Sequence, residues 1–359
     1  MIVSSSRCLA GRGGGEGAAA GTTPTQGAAY LAARCDEALA CAQAFARVRA
    51  IHAAPPAAPL AVPATSPPAG SRAWVVLLTT ARYAVGVKAL YNSIAEVESD
   101  YPLVVMVTEG VPPHVRDELQ AQGCSLHAVG VQPPPAGAPS YASPQFIECW
   151  TKLRAWELGY EQVALVDADM VMVRNMDELL AAEADRHSIR AVHECFCVVP
   201  RGETRCAHLE NARDGPPPHS GSYFNAGLIV LRPCRRVYEH MQAALLTFDL
   251  ATLSFAEQDF LNEYWAGAWE PLPWVYNATK GLYASHRATV WDFRQVKIVH
   301  FTMAKPWELR HPCHSGFERL NELWWAAFGE PATISRILLK LHRHEMQLRS
   351  GAELSGVEK

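Results

Sequence analysis

From Trp74 onward the chain carries short, continuous apolar runs separated by polar, helix-spaced stretches. WVVLLTT is rich in β-branched and large residues, the pattern of a strand buried on both faces. Helical spacing follows over 85–97, then PLVVMVT as a second strand, VRDELQAQG as a helix ending in glycine, and SLHAVGV as a third strand. Beyond a proline-rich loop, 145–158 reads as a helix and VALVDADMVMV as one buried strand interrupted by two carboxylates. This βαβαβ opening predicts an α/β fold with a doubly wound sheet and helices on both faces, in which ligands bind beyond the carboxyl ends of the strands. The triplet Asp167, Ala168, Asp169 stands at such an end.

Upstream the pattern fails. Residues 1–71 are dominated by Ala, Gly, Pro and Thr and lack the large apolar groups that would offset chain entropy, so they read as a low-complexity tail or linker. Within it, 28–53 carries Leu31, Leu39, Phe45 and Val48 at near-helical spacing and predicts a helix. The N-terminus lacks the apolar core of a signal peptide, although its Ser, Gly, Ala and early Arg7 and Arg12 leave organelle targeting as an alternative to a cytoplasmic location. NELWWAAF and ISRILLKLHRH read as closing helices, which sets a catalytic domain at 72–345 and a polar tail at 346–359.

Composition narrows the function. With 359 residues, 49% hydrophobic and 19% charged, the chain can bury one sizeable core or two modest ones. A net charge of -4 argues against a nucleic-acid partner, and no stretch approaches the ~20 apolar residues of a membrane span. Ten cysteines without a CxxC pair read mostly as reduced thiols.

Two carboxylates one residue apart between VALV and MVMV are costly to bury unpaired and call for a cation, and i, i+2 spacing on a strand points both the same way. Mn²⁺ or Mg²⁺, shared with substrate phosphate oxygens, fits such hard ligands. An aspartyl phosphatase of the haloacid dehalogenase type also opens with D-x-D-x-[TV], which Asp167, Asp169 and Val171 match. It would need a downstream acidic pair, however, and Asp214, Asp249, Asp259 and Asp292 are isolated. Downstream, Asn225, Ala226 and Gly227 read as a turn before a buried strand, with Gly227 allowing close approach. Glu257, Gln258 and Asp259 head a helix, where capping is the ordinary role of acidic groups. His300 ends an apolar strand as a metal-ligand candidate, and Lys305 follows as a diphosphate clamp. His193, Cys195, Cys197, Cys206 and His208 offer soft ligands for zinc, against the commoner reading of such cysteines as small buried hydrophobes.

Taken in order, LLTTARY, YPLVVMVT, TKLRAWEL, VDADM, ECFC, YFNAG, FAEQDFLN, VYN and HF with KPW resemble the glycogenin and galactinol synthase group of retaining glycosyltransferases, which have the GT-A fold. The resemblance runs from about Val75 to Trp307, and PLVV, ECFC, FNAG and FAEQDFLN look closer to galactinol synthase. It implies Asp167, Asp169 and His300 as manganese ligands bridging the phosphates of a UDP-sugar, with Ala168 in the same donor-binding segment. It further implies Leu78, Thr79, Thr80 and Tyr83 around the uridine, Lys305 on the diphosphate and Lys152 near the donor sugar. Asn225, Ala226, Gly227, Glu257 and Gln258 would face that sugar. The chain departs from glycogenin in a shorter LTTARY segment without its Asn, and in Glu257 where glycogenin has Asp.

The expectation is therefore a metal-dependent transferase of a hexosyl or hexuronosyl group acting with retention, the catalytic candidates being Glu257, Gln258 and Lys305, with a non-catalytic UDP-sugar-binding protein as the alternative of a different class. Its donor would be UDP-galactose or UDP-glucose and its acceptor a small polyol, a glycan or a protein, with a homodimer compatible. Galactinol-synthase-like transfer to an inositol polyol comes first. Glycogenin-like self-glucosylation comes second and would need an acceptor such as Tyr223 or Tyr141.

Overall fold

The computed structural model describes residues 70–135, 146–198, 206–210, 223–249, 253–308 and 317–355, with a few isolated positions nearer the N-terminus. Tyr141 and almost all of the helix expected over 28–53 lie outside the described residues. Seven strands form the main sheet: β1 (Arg72–Leu78), β2 (Leu103–Val107), β3 (Ser125–Ala128), β4 (Gln162–Val166), β6 (Ile189–His193), β7 (Phe224–Leu231) and β8 (Trp269–Leu272), in the order β3-β2-β1-β4-β7-β6-β8. β1 to β4 run parallel to one another, whereas β7 is antiparallel to both β4 and β6, so the sheet is mixed.

Strand alternation sends neighbouring residues into two cores, which is why these runs are apolar throughout. Ala73, Val75, Val104, Met106, Val163, Leu165, Ile229 and Leu231 face one side. There they meet Trp150 and Trp156 and the helices α3 (Arg235–Leu245) and α4 (Glu257–Tyr264). Trp74, Val76, Leu78, Val105, Val107, Ala164, Val166, Leu228 and Val230 face the other, against α1 (Ala84–Glu96) and α2 (Pro113–Gln122). The expected α/β architecture with helices on both faces is present.

Two expectations are corrected. VALVDADMVMV is not one strand. β4 ends at Val166, the chain turns over Asp167–Asp169 with Met170 N–H donating to the Asp167 carbonyl at 3.2 Å, and β5 (Met170–Met172) joins a second sheet. That sheet has three strands, with β5 antiparallel to β10 (Ile298–His300) and β10 parallel to β9 (Ala278–Thr279). One face packs in a third core with α5 (Lys280–His286), α6 (Glu318–Gly329) and α7 (Ile334–Ser355), while Met170, Met172 and Ile298 on the other face enter the second core. α7 therefore continues beyond the boundary expected at 345. The helix expected over 145–158 is one α-helical turn, Phe146–Cys149, followed by the tighter 3-10 segment Trp150–Glu157. No described helix is long and apolar enough to cross a membrane.

Candidate active site

The turn Asp167–Asp169 sits where the chain passes from the large sheet to the small one, at the carboxyl end of β4. Backbone hydrogen bonds fix it from both sides: Asp167 N–H donates to the Gly227 carbonyl at 2.9 Å, and Phe301 N–H donates to the Asp169 carbonyl at 2.8 Å. Gly86 on α1 lies against it, and a Cβ there would stand 2.3 Å from the Ala168 carbonyl oxygen. Both carboxylates reach one place through a turn rather than through strand alternation.

His300, at the end of β10, completes the group. Its Nε2 is 3.3 Å from Asp169 Oδ1 and 3.8 Å from Asp167 Oδ2. A chain of hydrogen bonds sets its tautomer, beginning at a backbone donor of known polarity. Gly227 N–H donates to Asn225 Oδ1 at 2.9 Å, so that oxygen is the acceptor, and Asn277 Nδ2 donates to it at 2.8 Å. The Asn277 oxygen then faces His300 Nδ1 at 2.9 Å, which must carry the proton, leaving the Nε2 lone pair turned to the aspartates. Asn225 Nδ2 ends the relay on Glu194 Oε2 at 2.5 Å. Two carboxylates and a correctly oriented imidazole nitrogen, all three ligand atoms within 4.8 Å of one another, fit a divalent cation.

Two lysines approach the same carboxylates. Lys305 donates to Asp169 Oδ2, and Lys152 Nζ lies 2.7 Å from Asp167 Oδ1 and 3.0 Å from Glu257 Oε1. Burial works to lower the Lys152 pKa, but the Asp167 and Glu257 carboxylates outweigh it and raise it well above the ordinary value. Burial likewise works to raise Asp169, and the Lys305 ammonium foremost holds it well below the usual carboxylate range. Non-glycine residues with positive φ precede both cationic and acidic partners: Ala256 (51°) stands before Glu257, and Met303 (64°) two residues before Lys305.

The turn and both lysines line an open cleft together with Leu77, Thr79, Tyr83, Phe146, Glu148 and Cys149. Of the expected uridine segment, Thr79 and Tyr83 are on the wall, Thr80 is half-buried off it, and Leu78 points into the core while Leu77 takes the wall position. Strand alternation explains that exchange. Asn225, Ala226 and Gly227 are not a turn before a strand but part of β7, behind His300 instead of on the cleft wall. Gly227 must be glycine, since a Cβ would stand 2.4 Å from His300 Cε1. Glu257 is buried, and the Gln258 side chain accepts from Ala226 N–H at 2.8 Å and donates to the Tyr223 hydroxyl at 3.2 Å. Tyr223 in turn donates to Asp259 at 2.5 Å. Asn277 and Glu194 stand within VYN and ECFC with no spacing that marks them as functional. The expectation that His193 and His208 join the cysteines is not met. His208 instead pairs with the His193 carbonyl at 3.0 Å, and His193 packs edge-on to Trp269.

Residues 74–310 match the family model described as Glycosyl transferase family 8. Galactinol synthase 6 of Arabidopsis thaliana is 31% identical over 278 residues, covering 72% of this chain and 81% of the relative. Galactinol synthase 1 of Ajuga reptans is 31% identical over 267 residues, covering 69% and 78%. Among solved structures, the galactosyltransferase LgtC in complex with donor and acceptor sugar analogs covers 71% of this chain and 95% of its own at 18% identity and TM-score 0.54. That likeness is one of fold, the GT-A arrangement of a mixed sheet between helices. The fold and the family match, reached independently, agree, and they displace the phosphatase alternative: the chain is a glycosyltransferase and belongs to glycosyl transferase family 8.

Proposed function

We propose that the protein transfers a hexosyl group, with retention, from a UDP-sugar to a hydroxyl of an inositol polyol, in a reaction that depends on a divalent cation, Mn²⁺ first. The convergence of Asp167, Asp169 and His300 at 3.3 and 3.8 Å, with the imidazole held by its far nitrogen, carries the metal part of this reading. The galactinol synthase relatives support galactosyl as the hexosyl group, with UDP-galactose as donor, and the inositol polyol as acceptor.

Asp167, Asp169 and His300 would hold the cation, which when bound neutralises charge on the donor's diphosphate and so favours departure of UDP. Lys305, already beside Asp169, supplies a second positive charge to the leaving phosphate. Lys152 orients Asp167 and pairs with the buried Glu257. Tyr83 and Thr79 form the wall along which the nucleoside would lie. Glu257, buried and ion-paired, and Gln258, with both amide ends engaged, are poorly placed as nucleophiles, which supports a front-face transfer steered by the departing phosphate. The Tyr223 hydroxyl is occupied by Asp259 and Gln258 and makes a poor internal acceptor.

A panel of UDP-sugars, scored by UDP release with and without Mn²⁺ and by transfer of label, tests the reading. Metal-dependent release, with label recovered on a free inositol polyol and lost in Asp169→Ala, is the expected result. Label retained on the protein would replace the polyol by self-glycosylation, and release indifferent to metal would sink the proposal.

A further inference from the structure

Outside the cleft, a second set of ligating side chains converges from three parts of the chain. Cys195 and Cys197 follow the end of β6, Cys206 precedes the helical turn Ala207–Glu210, and His286 closes α5. The three sulfur atoms and a ring nitrogen of His286 all lie within 4.8 Å of one another. His286 Nε2 is 3.2 Å from Cys206 Sγ and 3.2 Å from Cys197 Sγ. Cysteines that serve as small hydrophobes pack against carbon, whereas these turn their sulfurs towards each other and towards an imidazole nitrogen.

Three thiols and one imidazole are a soft, closed set of four. A tetrahedral zinc with Zn–S of about 2.3 Å and Zn–N of about 2.0 Å has an S–N edge of about 3.5 Å, close to the separations present. Thiolates select zinc over the hard cation suited to Asp167, Asp169 and His300. We propose that Cys195, Cys197, Cys206 and His286 bind a structural zinc ion, with no position left for a substrate. Binding releases the thiol protons to solvent and changes no oxidation state.

The location gives the ion a role. Cys195 follows Glu194, which ends the hydrogen-bond relay behind His300, and α5 begins shortly after Asn277, the relay member that touches His300. A zinc here ties those two segments together, so its loss would loosen the relay while leaving every ligand of the cleft in place. This second step rests on the donor-site reading above; the zinc site itself does not.

Metal analysis of the full-length chain, purified without chelator, tests the site. Zinc at about one equivalent per chain, released in step with thiol modification by p-hydroxymercuribenzoate, is expected. Cobalt-substituted wild-type protein should show thiolate-to-cobalt charge-transfer absorption, a readout that needs no variant to fold. Cys197→Ser and His286→Asn should each weaken zinc retention, and Asp169→Ala should keep it. Zinc-free protein with all thiols reduced, a disulfide among these cysteines in non-reduced peptide mapping, or zinc lost in Asp169→Ala would overturn the proposal. Zinc retained by a protein inactive on every UDP-sugar would uphold this site and refute only the donor reading.

Discussion

The state of a single ring nitrogen decides whether His300 can ligate, and the Asn277 amide facing its other nitrogen decides that state. Replacing Asn277 with Leu keeps the volume but removes the acceptor for the Nδ1 proton. Apparent Mn²⁺ affinity should fall about 10- to 100-fold, with turnover largely recovered at saturating metal. Titrating Mn²⁺ against UDP release separates the two quantities, and an unchanged metal midpoint would remove the relay from the mechanism. Gly227→Ala attacks the same nitrogen sterically, with the new methyl 2.7 Å from His300 Nδ1 and 2.7 Å from Asn225 Oδ1. It should weaken metal binding at least as much and also lower the melting temperature, because Gly227 lies inside a buried strand. Lys305→Ala should lower kcat about 10²- to 10³-fold if its charge acts on the leaving phosphate. Lys305→Arg should restore part of that loss, which steady-state kinetics at saturating donor and metal would reveal.

At the scale of elements, the continuous apolar strands were legible because both faces of the large sheet are covered, and periodicity reports burial directly. The break at Asp167–Asp169 was not legible, since VALV and MVMV look the same whether they continue one sheet or enter two. Glu194 and Asn277 are single polar residues that no period marks, and His286 lies 80 positions from Cys206, too far for spacing to suggest a shared site. The fully buried Trp324 on α6 packs in the third core, and Asn92 of α1 donates to the Ala327 and Phe328 carbonyls at the end of α6. Trp324→Ala should cost about 3–5 kcal/mol, read from the midpoint of urea unfolding. Nearer α7, Asp292 accepts from Arg294 by side chain and backbone, and the Arg294 hydrogen bonds hold it down to about 2. A carboxyl depressed in the folded state stabilises fully above its unfolded value near 3.8 and loses that contribution as pH falls through about 2. Arg294→Ala should therefore lower the melting temperature most near neutrality and progressively less on acidification, measured by melts from neutral pH downward.

For the whole molecule, the candidate metal site is the joint between two sheets that share a core, which Met170, Met172 and Ile298 of the small sheet enter beside Val76, Val166 and Leu228 of the large one. Asp167 is anchored to β7 of the large sheet, and His300 belongs to β10 of the small one. Without a cation, Lys152 and Lys305 pair with the two aspartates. A cation held by all three ligands adds a link that exists only when both sheets are folded and docked. Binding to the folded state alone stabilises by RT ln(1 + [L]/Kd), about 2.7 kcal/mol at one hundred times Kd. Adding Mn²⁺ with UDP to chelator-dialysed protein should thus raise the melting temperature. Asp169→Ala should melt at the same temperature with or without them. A shift in that variant equal to the wild-type shift would place the stabilising ion elsewhere in the molecule, away from the turn that joins the sheets.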